Sequence, residues 1–190
     1  MEASFKKSLN YLGGSYVVEK QAIWIARDLS KCSGCRQCEV ACSLFHEKQV
    51  WPEASRIRIF MLVPGADFPH FCAQCEDYPC VDACPVKALS ISERTGAVLV
   101  KARKCTACGK CIEACPGRVP HLHPTEKRVL ICDLCKGKPR CVQVCSEGGW
   151  NVLTEVSRRN RAYNLYARTP EDITHDLVTK LYGEMGEQFL

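Results

Sequence analysis

Sixteen cysteines dominate the chemistry open to this 190-residue chain. They form four groups: Cys32, Cys35, Cys38 and Cys42; Cys72, Cys75, Cys80 and Cys84; Cys105, Cys108, Cys111 and Cys115; and Cys132, Cys135, Cys141 and Cys145. The spacings are C-x2-C-x2-C-x3-C, C-x2-C-x4-C-x3-C, C-x2-C-x2-C-x3-C and C-x2-C-x5-C-x3-C, so only the middle gap varies and no cysteine is left over. Thiolates are soft donors that select zinc, copper(I) or iron–sulfur clusters. Three of them on one short loop can wrap three corners of a cubane of iron and sulfide. The same loop turns backbone N–H groups toward the negatively charged core. The fourth, separated by three residues, is carried away by a helical turn and cannot easily reach the same cubane. In proteins with two such clusters, the last cysteine ligates the other one. The motifs are therefore expected to work in pairs.

The residues that follow the last cysteines suggest the pairs. Pro85 and Pro116 follow Cys84 and Cys115, whereas Ser43 and Ser146 follow Cys42 and Cys145. The simplest assignment makes motifs two and three an inner unit, with motifs one and four closing around it as an outer unit. Each pair then has one regular motif and one with a lengthened middle gap. A zinc-binding structural module is the competing reading, because paired C-x2-C motifs also hold zinc tetrahedrally. Such modules present separated pairs, however, rather than a triplet plus x3-C four times over, and a terminal Cys-Pro belongs to the bacterial four-iron pattern. A disulfide framework fits less well still. Small disulfide scaffolds are secreted, and Met1–Asn10 (MEASFKKSLN) has no apolar stretch behind its lysines.

Composition agrees with a metal-dependent core. The hydrophobic fraction of 46% counts the cysteines, so the apolar residues left over are few, and inorganic cores can supply the folding energy that side chains lack. The formal charge of +5 does not signal nucleic acid. An oxidised cubane with four thiolates carries −2, so four of them take +5 to about −3. No apolar run approaches the roughly 20 residues of a membrane span, and the expectation is a cytoplasmic protein whose thiols stay reduced. No Ser/His/Asp arrangement, phosphate loop, carboxylate pair or dinucleotide fingerprint stands out, so the chain is expected to have no substrate site of its own.

The elements that must position the cysteines are short. Ala22–Arg27 leads toward motif one, and Arg56–Met61 alternates as a strand does. Ala88–Ile91 and Ala97–Val100 flank a turn with Gly96, a hairpin between motifs two and three. Val129–Ile131 leads into motif four, and the x3-C ends suit one or two helical turns. The fold class is therefore α+β, with residues 22–152 as the cluster-bearing domain, an N-terminal extension over 1–21 and a tail over 153–190. The extension is expected to hold a short helix ending at Gly13-Gly14. The tail is expected to hold an amphipathic helix over 170–189, with Thr169 as N-cap and Pro170 at the first helical position. Ile173, Leu177, Leu181, Met185 and Phe189, with Val178 and Tyr182, make one apolar stripe. Because a cluster-bearing core offers little apolar surface, this face is expected to dock on a catalytic subunit or a second copy rather than on its own core.

Over roughly residues 22–152 the sequence resembles the four-cluster electron-transfer subunits of molybdenum and tungsten pterin oxidoreductases. CSGCRQCEVACSLFHE (Cys32–Glu47), SRIRIF (Ser55–Phe60) and CDLCKGKPRCVQVC (Cys132–Cys145) are most similar to one branch. That branch holds the small subunits of aldehyde:ferredoxin oxidoreductase-type tungsten enzymes and the related benzoyl-CoA reductases. Similar subunits serve hydrogenases, formate dehydrogenases and carbon monoxide dehydrogenases. The resemblance implies tandem bacterial-ferredoxin-like modules, the inner inserted in the outer, holding four [4Fe–4S] clusters by crossed ligation. One cluster would take Cys32, Cys35, Cys38 and Cys145, and its mate Cys132, Cys135, Cys141 and Cys42. The inner two would take Cys72, Cys75, Cys80 and Cys115, and Cys105, Cys108, Cys111 and Cys84. It also implies a non-catalytic subunit that passes electrons between a pterin-bearing catalytic subunit and a flavin- or NAD-linked subunit or a ferredoxin.

Other polar features have blander readings. His121 and His123 are expected to be loop or interface residues, since cysteines already supply every cluster. Arg158, Arg159, Arg161 and Arg168 either dock an acidic partner or form a solvated face. Arg36, Lys104 and Lys110 lie in or beside the cysteine loops, where positive charge would raise a local potential; ordinary solvated charges are the alternative.

Overall fold

The computed structural model describes residues 23–157 and 162–189. The helix expected to end at Gly13-Gly14, and Arg158, Arg159 and Arg161, lie outside these residues. In chain order the elements are β1 (Ile23–Arg27), α1 (Gln37–Glu47), β2 (Arg58–Phe60), β3 (Phe68–His70), α2 (Pro79–Asp82), β4 (Leu89–Ile91), β5 (Val98–Val100), α3 (Lys110–Glu113), β6 (His121–Leu122), β7 (Val129–Leu130), α4 (Arg140–Glu147), β8 (Leu153–Ser157) and α5 (Pro170–Tyr182). The result is a small α+β fold whose described strands form four two-stranded antiparallel sheets.

Helix length follows the residue after the last cysteine. A proline disfavours the α region for the residue before it. With Pro85 and Pro116 in place, α2 and α3 stop at Asp82 and Glu113, and Cys84 and Cys115 lie two residues past them. Ser43 and Ser146 impose no such stop, so α1 and α4 run on through Cys42 and Cys145.

β1 and β8 pair from Ile23 opposite Ser157 to Arg27 opposite Leu153, and the Asp28 N–H continues the ladder to the Val152 carbonyl at 2.8 Å. The first and last strands of the cysteine region thus lie side by side, and α1 packs on α4. β4 and β5 form the expected hairpin, with Gly96 at φ 70 in its turn, and α2 packs on α3. Two apolar clusters result. One gathers Ile25, Ile57, Ile59, Phe71, Leu134 and Leu153 with cysteines of motifs one and four. The other gathers Leu89, Val98, Val129 and Ile131 with cysteines of motifs two and three.

Three strands were not expected. β8 lies beyond residue 152, where the tail was expected to begin, yet it pairs along its full length and buries Leu153. β3 contains Pro69, which argues against a strand in sequence. It is tolerated here because β3 pairs with β2 alone in a two-stranded sheet. β6 is only two residues long, too short for any period.

The tail helix departs from expectation in length and in what it packs on. Thr169 caps it, its Oγ1 accepting the Asp172 N–H at 3.2 Å. The α-helix ends at Tyr182 because Gly183 takes φ 58 with ψ −141, a conformation that suits glycine. A 3-10 segment, Gly183–Phe189, follows. The apolar stripe folds back on its own chain: Ile173, Leu177 and Val178 are 3%, 4% and 0% exposed and pack with Val63, Ala66 and Phe68. The Tyr182 hydroxyl donates to the Pro64 carbonyl at 3.2 Å. This corrects the expected docking on another chain. The apolar surface comes from the β2–β3 connection, outside the cysteine motifs. Leu181 and Met185, 42% and 66% exposed, stay out of that contact. Leu177→Ala should therefore lower the unfolding free energy by about 2–5 kcal/mol. Met185→Ala should change it by less than about 0.5 kcal/mol. Anaerobic denaturant titration of the two variants checks this.

Candidate metal centres

The structure brings the cysteines together in four hollows, each lined by four of them. Cys32, Cys35, Cys38 and Cys145 line one of about 350 Å³, with Ile59, Trp150 and Leu153. Cys132, Cys135, Cys141 and Cys42 line one of about 310 Å³, with Ile25, Phe71 and Leu134. Cys72, Cys75, Cys80 and Cys115 line one of about 430 Å³, with Val98 and Ile131. Cys105, Cys108, Cys111 and Cys84 line one of about 340 Å³, with Leu89 and Val129. In every case three cysteines come from one motif and the fourth from the end of another. The hollows are of similar size and otherwise mostly apolar.

The loops share one feature in all four motifs. Two residues after each first cysteine stands a residue in the left-handed region: Gly34 at φ 67, Gln74 at φ 55, Ala107 at φ 56 and Leu134 at φ 56. Three of these carry a side chain, and that conformation costs a non-glycine residue roughly 1–2 kcal/mol. A left-handed residue beside right-handed ones turns neighbouring N–H groups toward one side, the geometry of an anion-binding nest, and in motif four the left-handed run continues from Leu134 to Gly137. Gly34 has a second constraint, because a Cβ there would lie 2.5 Å from the Asp67 carboxylate. Backbone N–H groups already point at sulfur: Arg56 to Cys42 Sγ at 3.3 Å, Gln74 to Cys72 Sγ at 3.4 Å and Ala88 to Cys84 Sγ at 3.2 Å.

The hollows stand in a row. Cys38 and Cys141 share one apolar cluster, which joins the Cys32 hollow to the Cys132 hollow. Cys72 packs against both apolar clusters, joining the second to the third. Cys80 and Cys111 share the other apolar cluster, joining the third to the fourth. The ends of the row reach solvent at Cys35 and Cys108, the two exposed cysteines, while all four cysteines of the Cys132 hollow are buried.

Burial pushes the thiols toward their protonated form. Cys72 and Cys80 are raised to about 12, Cys111 and Cys135 to about 11, and Cys132 and Cys141 well above the ordinary thiol value. Exposed Cys108 is shifted the other way, chiefly by the Lys110 N–H. Thiols this buried become thiolates when a metal ion supplies the compensating charge. The donor set, the apolar walls and the N–H cradle together fit a [4Fe–4S] cluster.

Two arginines, Arg27 buried and Arg56 half-buried, stand beside the hollows, and sequence reasoning singled out neither. Arg56 meets the Asp133 carboxylate at 2.8 Å next to Cys135. His46 lies 3.4 Å from Asp133 and 3.7 Å from Cys135 Sγ, its pKa lowered to about 4 by burial and then by Arg56. Arg27, at the end of β1, is 6% exposed. Nothing in the pattern IWIAR separates it from a solvated strand end. Of the charges noted in sequence, Arg36 lines the Cys32 hollow and pairs with Glu39 at 3.3 Å, while Lys104 and Lys110 are exposed. Arg168 pairs with Asp176 and donates to the Asp172 carbonyl within its own segment. His123 is buried, its Nδ1 accepting the N–H groups of Thr125 and Glu126 at 3.3 and 3.0 Å. The neighbouring carboxylates of Glu47 and Glu126 are bridged by Arg128 at 2.8 and 2.6 Å, which supplies the cation there.

Comparison with known proteins points the same way. The 4Fe-4S dicluster domain matches residues 65–155 and the 4Fe-4S binding domain residues 29–45. The polyferredoxin-like subunit of an aliphatic sulfonate oxidoreductase from Pyrococcus furiosus is 51% identical over 166 residues, 87% of this chain and 96% of that one. Protein NrfC of Escherichia coli is 36% identical over 155 residues, 73% of this chain and 65% of that one. Among solved structures, the active site complex BamBC of benzoyl coenzyme A reductase matches with a TM-score of 0.42 at 22% identity, over 88% of this chain and 95% of that one.

The hollows generate a mutational expectation that separates the motif from the site. Cys42→Ala should remove the iron held by Cys132, Cys135 and Cys141, and leave that held by Cys32, Cys35 and Cys38. EPR of the reduced variant should show one missing signal and a loss of about a quarter of the iron. A variant that kept the motif-four signal and lost the motif-one signal would reject these sets.

Proposed function

This chain belongs to the ferredoxin-like 4Fe–4S family of electron-transfer subunits of oxidoreductases, and from that premise we propose that it holds four [4Fe–4S] clusters in two nested two-cluster units. One cluster is held by Cys32, Cys35, Cys38 and Cys145, the second by Cys132, Cys135, Cys141 and Cys42. The third is held by Cys72, Cys75, Cys80 and Cys115, the fourth by Cys105, Cys108, Cys111 and Cys84. The observation that carries this reading is the row of four-cysteine hollows, with an exposed cysteine in each end hollow and none in the two between.

Each cluster, when bound, accepts and returns one electron. The protein's own residues do the rest. Crossed ligands tie the two hollows of each pair through single helical turns, so the paired centres keep a set separation. Apolar walls keep water from the middle of the row, and inward N–H groups stabilise the charge added on reduction. Electrons enter at one exposed end and leave at the other.

The catalytic subunit at one end is of the tungsten- or molybdenum-pterin type, like the aldehyde oxidoreductases. The relative from Pyrococcus furiosus is named as serving an aliphatic sulfonate oxidoreductase, which favours aliphatic sulfonates as the substrate class of the partner here. A flavin- or NAD-linked subunit or a ferredoxin takes the other end. The complex works in the cytoplasm; no helix among the described residues is long and apolar enough to cross a membrane.

Anaerobically purified protein should contain about sixteen irons and sixteen sulfides per chain. Near eight irons, two of the hollows would have no cluster. Zinc without sulfide would return the chain to the structural-module reading. Affinity purification from the native host should bring down a tungsten- or molybdenum-containing subunit, and the complex should reduce a viologen dye with an aliphatic sulfonate. Turnover with formate alone, or a partner free of both metals, would overturn the partner assignment.

A further inference from the structure

Arg27 ends β1 at the junction of the outer and inner pairs. Its Nη2 donates to the Phe71 carbonyl at 2.9 Å and the Cys72 carbonyl at 3.4 Å. The guanidinium is sandwiched between two rings, with its central carbon 3.7 Å from the centroid of Phe71 and 4.6 Å from that of Tyr166. Tyr166 locks the strand end as well, its hydroxyl donating to the Arg27 carbonyl at 2.9 Å and accepting the Arg27 N–H at 3.3 Å. Phe71 lines the Cys132 hollow, and Cys72 lines the next one in the row.

This placement is costly without a counter-charge. A buried guanidinium is normally matched by a carboxylate, and none pairs with Arg27 among the described residues. Nε and Nη1 are buried and meet no acceptor there either. Burial lowers the pKa to about 10, against the opposing effects of Tyr166, Cys72, Cys132 and Cys141. The side chain is still a full cation at neutral pH. With clusters bound, the anionic groups within its reach would be the cysteine thiolates of two adjacent hollows.

We propose that Arg27 is the fixed positive charge that sets the reduction potentials of the two middle clusters, those of Cys132 and Cys72, above what burial beside two other clusters would allow. The proposal rests on the ligand sets given above. A nearby cation stabilises the reduced, more negative form of a cluster more than the oxidised form, so it raises the potential. It also offsets repulsion between neighbouring anionic clusters where the row is most buried and water screens least. The aromatic sandwich and the two carbonyls hold the charge between the two hollows rather than beside one.

The test is an EPR-monitored redox titration of the anaerobically purified full chain and its Arg27 variants. Arg27→Gln should lower two of the four midpoint potentials. Each should move by at least a tenfold change in the one-electron reduction equilibrium, about 59 mV. The other two should stay within about threefold. Arg27→Lys, which keeps the charge, should leave all four within about threefold. Cys135→Ser and Cys75→Ser identify which signals belong to the middle pair. If Arg27→Gln sheds iron from those two centres alone while Arg27→Lys retains it, the charge assignment also stands. Unmoved potentials in a fully loaded Arg27→Gln chain would overturn the proposal. So would an equal shift of all four, or a Lys variant as perturbed as the Gln variant. A wild-type chain with fewer than four cubanes is a separate failure, that of the ligand sets themselves.

Discussion

A cysteine four residues beyond its triplet faces a different hollow from the other three, and the rest of the chain is arranged around that displacement. One helical turn separates Cys38 from Cys42 or Cys141 from Cys145, and it carries the last thiol out of its own loop. A motif alone can therefore supply three sulfurs to one place and a single sulfur to another. Four sulfurs meet only where two motifs pack with their helices in contact, as α1 does with α4 and α2 with α3. The pairing of β1 with β8 follows from the same need: motifs at opposite ends of the region must be held side by side. The hairpin of β4 and β5 does this locally for the two motifs it joins.

Charge is the second organising force. The hollows concentrate sulfur in an apolar interior where an isolated anion would be strongly disfavoured. Three compensations are built in: left-handed loop residues that aim N–H groups inward, short N–H contacts to the last cysteines, and guanidinium groups from outside the motifs. Arg56 reaches one hollow through its ion pair with Asp133, whereas Arg27 lies between two without a carboxylate partner among the described residues. The exposed cations beside Cys108 act through water, which screens them. Buried Arg27 and half-buried Arg56 are where charge acts most strongly.

The tail shows how a small cluster-bearing core covers its own surface. The apolar clusters around the cysteines are built largely from the strands and loops that carry the motifs. The β2–β3 connection contributes a third, with Val63, Ala66 and Phe68, and α5 closes it. The helix thus belongs to the fold of its own chain, and its exposed face is polar apart from Leu181.

The metal chemistry was legible in the residues themselves, because ligand type and spacing are local properties of the chain. The four triplets, the helical turn after each, the hairpin at Gly96, the capped start at Thr169 and Pro170, and the ferredoxin-like class all follow from neighbours within about ten residues. Even the joining of motifs one with four and two with three left a trace, in the proline or serine after the last cysteine. What sequence could not carry was long-range. β8 is an ordinary polar-flanked segment until β1, about 130 residues away, lies beside it. The stripe on α5 specifies that something must cover it but not what, and the covering surface comes from a loop with no period of its own. Arg27 reads as a solvated strand end in any window of the sequence. Only the tertiary structure places it between Phe71 and Tyr166, because burial and counter-charge depend on which distant atoms the fold brings near.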